Sequence, residues 1–189
     1  MSNIITLEQE YELLLNLLKD VNPKLAALTP EDDVVVELDG IANLAGAPEG
    51  TPNTRIEAKI ANTEPKMNIE YIRLDVTKIL TEGKAYKVDA ADIDTEEKRL
   101  AKLMEVLAAD MIVDDNLLVF PPIETFKITW SGGENDVHNA RVVFLDSKLY
   151  VGHVNVVLDG SVVKAIADYV DNSTLNGFTA EQLAHSTGA

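Results

Sequence analysis

The sequence predicts an α+β fold with two main helices and antiparallel β hairpins or sheets, laid out in two similarly ordered halves. Three observations predict it. Apolar residues recur at helical spacing near the N-terminus and again after residue 95. Runs rich in β-branched residues, several with alternating polarity, fill most of the remainder between Gly, Pro, Asn and Asp clusters. The order of these elements then repeats once.

Leu7, Tyr11, Leu14, Leu15 and Leu18 share one helical face, with Glu8, Glu12, Asn16 and Lys19 opposite. Thr6 can cap this helix and Gln9 can reach back to complete a capping box. Asn22-Pro23 stops it, because proline disfavours helical backbone at the residue before it. The spacing therefore predicts a helix over 7–20. After a polar turn at 29–33, Val34–Leu38 reads as a strand, and residues 39–53, with several Gly and Pro, as a long loop. Strands are expected over 54–61 and 67–74, joined by 62–66, since Arg55-Ile56-Glu57-Ala58-Lys59-Ile60 alternates as a half-buried strand does.

After Gly83 the pattern starts again. Leu100, Leu103, Met104 and Leu107 form an apolar stripe, so a helix is expected over 95–109 with Asp94 as its cap. Asp114-Asp115 then precedes a strand, Leu117–Phe120, closed by Pro121-Pro122. A further strand is expected over 125–130 and a loop over 131–136. Arg141–Leu145 and Tyr150–Leu158 make a hairpin turning at Asp146-Ser147-Lys148. The shared order is helix, acidic pair, apolar strand, Gly/Asn-rich loop and Arg-led hairpin. It divides the chain into a first half, 1–83, a second half, 84–170, and a polar tail, 171–189. Duplication explains this order, and so does chance recurrence in an α+β chain. Val162, Val163, Ile166 and Val170 are spaced for a short terminal helix. The tail carries few large apolar residues, chiefly Leu175, Phe178 and Leu183, and is expected to dock on a neighbour rather than pack alone.

Composition excludes several classes. The 189 residues include 32 acidic and 16 basic side chains, a formal charge of −16, which repels nucleic acid phosphates and anionic lipid. Neither direct nucleic acid binding nor a membrane partner is expected. The absence of cysteine excludes disulfides, thiolate metal sites and cysteine nucleophiles. Met1–Thr6 lacks the features of a signal peptide, and no apolar run approaches the ~20 residues that span a bilayer. Synthesis in a cytoplasm is the expectation.

Residues suited to catalysis do not assemble in the sequence. Ser161 follows Asp159-Gly160 as a turn serine, outside any G-x-S-x-G. His138, His153 and His185 lack metal-ligand spacing, and Gly132-Gly133 belongs to no phosphate-binding loop. Val88–Asp94 holds oxygen donors but neither the central glycine nor the closing glutamate of a calcium loop. Asp32-Asp33 and Asp114-Asp115 read as solvated turns, with a jointly held cation as the alternative. Trp130 is the lone tryptophan, too few aromatic platforms for a glycosidase cleft. No catalytic, cofactor-binding or metal-ligating residue is expected, and no cofactor.

Three segments carry a resemblance: Asn53-Thr54-Arg55 opening a strand, Ile69-Glu70-Tyr71-Ile72-Arg73-Leu74-Asp75 ending the next, and Leu149–Val156 late in the chain. With the leucine-rich first helix and its Asn22-Pro23 break, they resemble virion structural proteins of large tailed bacteriophages. That family shows an N-T-led strand, a glycine-bearing turn and a strand ending near Y-N-R-L-D-L. Here isoleucine, Ile72, stands for the asparagine and Pro65 occupies the turn where glycine is usual. The likeness covers most of residues 7–160. It implies a non-enzymatic particle component in the head, neck or tail, whose partners are other virion proteins and copies of itself, and it brings no catalytic residue. The rival expectation is an accessory module that holds a carbohydrate or a calcium ion in its hairpin loops.

Overall fold

The structure is a computed structural model of the chain, and it describes residues 3–28, 35–62 and 66–161. Its mixture of helices and largely antiparallel sheets is the α+β class that the sequence predicts.

Helix α1 (Leu7–Asp20) begins with the expected capping box. The Gln9 amide donates to Thr6 Oγ at 3.2 Å, and the Thr6 amide donates to Gln9 Oε1 at 2.9 Å. Past Val21 the chain makes a single further turn, α2 (Pro23–Ala26), where proline at the first position lacks only an N–H that no helix would use. α1 lies on a three-stranded antiparallel sheet in the order β1 (Val36–Asn43), β2 (Thr54–Ile60), β3 (Met67–Tyr71). Leu14, Leu38, Ile56, Ala58 and Tyr71 form the small core between them.

Helix α3 (Glu96–Asp110) covers the larger core. Beneath it lie β4 (Leu74–Asp75), β5 (Lys84–Lys87), β8 (Phe126–Gly132), β9 (Val137–Phe144) and β10 (Tyr150–Asp159). The strand order is β4-β10-β9-β8, and β5 pairs with β10 further along. β8, β9 and β10 form an antiparallel meander, whereas β4 and β5 run parallel to β10. Phe120, Phe126 and Phe144 meet with ring centroids 5.4–6.1 Å apart at the centre of this core. The N-terminal segment is stitched to the same body: Ile4 bridges Phe120, and Asn3 donates to the carbonyls of Ala108 and Leu118.

The structure corrects four local expectations. β1 continues to Asn43 through residues that read as loop, because a register shift between Asp39 and Ala42, with Gly40 at φ +67°, lets the pairing resume past a bulge. Leu117–Phe120 is not one strand: β6 (Ile112–Val113) and β7 (Asn116–Leu117) form a small hairpin. Asp114 and Asp115 are its turn, at φ 49° and 63°. Thr95 caps α3, accepting from the Lys98 amide at 3.2 Å, while Asp94 pairs with the Lys98 ammonium. The expected strand over 67–74 ends at Tyr71, and Leu74 joins the other sheet.

That last difference bears on the two halves. Each helix precedes a three-strand meander, β1-β2-β3 or β8-β9-β10. The sheets, however, part between Tyr71 and Leu74, upstream of Gly83, because β4 pairs with β10. Asp32-Asp33, the terminal helix expected from Val162, and the tail at 171–189 lie outside the described residues.

Candidate functional site

Where α1 and the two sheets meet, a buried polar cluster replaces apolar packing. Glu10 is wholly buried on the inner face of α1. Its Oε1 accepts from Ser147 Oγ at 2.6 Å and from the Lys148 amide at 3.0 Å, both in the β9–β10 turn. The Ser147 carbonyl accepts in turn from Arg73 Nη1 at 2.6 Å. Arg73, 1% exposed, also donates from Nε to Thr54 Oγ1 at 2.7 Å and from Nη2 to Asn43 Oδ1. The Asn53 side chain clasps the Arg73 backbone on both sides, donating to its carbonyl and accepting from its amide, each at 2.8 Å. Tyr71 OH donates to the Lys148 carbonyl at 3.0 Å.

These residues explain the break between β3 and β4. A guanidinium at position 73 turns inward and needs acceptors; the paired ends of β1 and β2 supply Asn43 and Thr54, while the distant turn supplies Ser147. Burial holds the Arg73 guanidinium below its ordinary pKa. Burial likewise pushes Tyr71 and Tyr150 up to about 12. Glu10 Oε2 is enclosed and has no hydrogen-bond partner among the described residues. The cluster presents no open nucleophile. Its chemistry is that of a clamp, with two opposite charges bridged by Ser147. The segments that carried the family resemblance, Asn53-Thr54 and Tyr71–Leu74, supply much of it.

The residues singled out in sequence stay apart. His138 and His153 lie on neighbouring strands, opposite Leu158 and Val143. Five residues of β10 therefore separate their rows, roughly 16 Å along the sheet. Burial, then the nearby Arg99 charge, lowers the His138 pKa, and the Arg99 guanidinium lies 6.0 Å from the Trp130 ring centroid. Asp89 caps a short turn through the Ala91 amide, Asp92 pairs with Lys102 and Asp94 with Lys98, so these acids are engaged structurally. Among the described residues no group of three His, Asp or Glu is placed to hold a metal ion, and no helix is long and apolar enough to cross a membrane.

The surface beside α1 is different in kind. An apolar hollow of about 540 Å³ opens between the end of α1, α2 and the first sheet, walled by Leu18, Val21, Leu25, Ile60 and Met67. One of about 250 Å³ lies against the other flank, between Leu13 and Leu17 on one side and Ile72 and Leu74 on the other. A third, about 500 Å³, borders Ile4, Leu7, Met104 and Ile123. Leu13, Leu17, Ile72 and Leu74 are 42–50% exposed. The cause is geometric: Leu7, Tyr11, Leu14, Leu15 and Leu18 define a stripe, but Leu13 and Leu17 fall outside it and line the hollow instead. The signal was legible as leucines on more than one face of a helix that has only one sheet to cover.

No protein-family model matches this chain, and no curated protein or solved structure matches it significantly.

Proposed function

We propose that this protein is a structural, non-catalytic component of a tailed-phage virion, held in place by contacts with other virion proteins and with copies of itself. The observation that carries the reading is the run of exposed apolar side chains along α1, beside three open hollows. Contiguous apolar surface of this kind marks contact with another protein. The polar cluster at the junction supports it from the other side: its donors are engaged in holding two sheets together, leaving a scaffold with a greasy flank.

The magnitudes favour repeated weak contacts. Covering the exposed half of a leucine or isoleucine returns about 1 kcal/mol, so Leu13, Leu17, Ile72 and Leu74 together return about 4 kcal/mol. Association costs about 4–15 kcal/mol. A lone contact at this flank is thus weak, and many contacts made at once in a particle are strong. The test is mass spectrometry of density-banded virions from cells expressing the gene. The chain should be recovered in fixed ratio to the major particle proteins. Abundance in the lysate with absence from the particles overturns the reading.

A further inference from the structure

We propose that the α1 flank bearing Leu13 and Leu17 is a two-fold interface between two copies of this chain, which deepens the assembly reading and rests on it. The ridge and the hollow it needs lie side by side on one surface. Leu13 and Leu17, one helical turn apart, form the ridge; the 250 Å³ hollow between them and Ile72 and Leu74 has room for roughly two aliphatic side chains. A two-fold axis through this patch places each copy's ridge in the other's hollow, the self-complementary arrangement of an isologous interface.

Charge selects the same occupant. Lys148 is the charged residue on the wall of the hollow, and its ammonium has no ion-pair partner among the described residues. On the far side of the leucine ridge, α1 turns to a polar flank that is net acidic, with exposed Glu8, Glu12 and Asp20 against the half-buried Lys19. The two-fold rotation exchanges the sides of the patch and carries Lys148 of each copy toward the acidic flank of the other. The chain is acidic overall, at −16, so a second copy is otherwise repelled, and this patch offers attraction of both kinds.

Sedimentation equilibrium of the full chain tests this. A concentration-dependent dimer is expected. Leu13→Asp with Leu17→Asp should raise its Kd at least tenfold with the circular dichroism spectrum unchanged, since both side chains are already half in water. Lys148→Glu should weaken it, and adding Glu12→Lys and Asp20→Lys to that variant should restore it. Lys148 bonds Glu10 through its amide rather than its side chain, so these changes leave the clamp in place. A chain that stays monomeric at millimolar concentration overturns the proposal, as does a dimer indifferent to the Asp pair or one that charge reversal fails to restore. A monomer that still enters virions overturns this interface and leaves the virion reading standing; a dimer absent from virions does the reverse.

Discussion

Arg73 and Glu10 are the residues on which the architecture turns, and sequence revealed them unequally. Arg73 stood within a recognisable segment with Tyr71 and Leu74, so its position was marked though its inward turn was not. Glu10 gave no warning. It lies four residues before Leu14, on the edge of the apolar stripe, and the partner that lets it be buried, Ser147, is 137 residues away. Arg73→Ala leaves the buried Ser147 carbonyl and the Thr54 hydroxyl without their donor and opens a cavity between the sheets, so it should destabilise the fold by about 2–4 kcal/mol, read from urea unfolding. A loss under 1 kcal/mol would mean that the cluster is not holding the sheets. The buried phenols make a second residue-level prediction. Tyr71 and Tyr150 have folded pKa values of about 12 against an ordinary 10. A raised pKa contributes stability that is complete below 10 and is lost as pH rises through 12. Ultraviolet titration of tyrosinate should therefore show these two and Tyr86, whose pKa is also raised by burial and by Asp110, ionising late and together with loss of near-ultraviolet dichroism. All five tyrosines titrating near 10 with the fold intact would contradict the burial.

Elements whose signals are local were the legible ones. Both long helices announced themselves through caps and 3.6-residue spacing, information contained within one or two turns. The expected cap of α3, Asp94, falls one residue early, and Thr95 is the cap; Thr95→Ala should lower stability by about 1 kcal/mol, whereas Asp94→Ala should change it little. Thermal melts of the two variants distinguish the roles. Strands were harder wherever pairing departs from a plain hairpin. The bulge at Gly40 hid the end of β1. The Asp114-Asp115 turn lacks the glycine that usually flags a two-residue hairpin, so β6 and β7 merged into neighbouring sequence. β10 holds a constraint that nothing nearby discloses. Gly152 sits at φ +103°, and a Cβ there would stand 2.8 Å from Asp75 Oδ1, an atom held by Thr77. Gly152→Ala should therefore cost on the order of 1–3 kcal/mol, through backbone strain and displacement of β4. A melting temperature equal to that of the unmodified chain would remove this strand from the account.

At the scale of the whole molecule, the α+β class followed from composition and periodicity, but the topology did not. β10 takes β9 as its antiparallel partner, which a hairpin pattern predicts, and β4 and β5 as parallel partners from some 70 residues earlier, which it cannot. The candidate interface left one sign in the sequence, leucines outside the α1 stripe, but an apolar helix face reads alike whether a sheet, a second copy or nothing covers it, and only the fold shows where the sheet ends. The central claim is that the α1 flank is covered in an assembled particle. Hydroxyl-radical footprinting of Leu13, Leu17, Ile72 and Leu74, in the isolated chain at low concentration and in purified virions, tests it most directly. The account predicts labelling in the free chain and strong protection in the particle; equal labelling in both would contradict it.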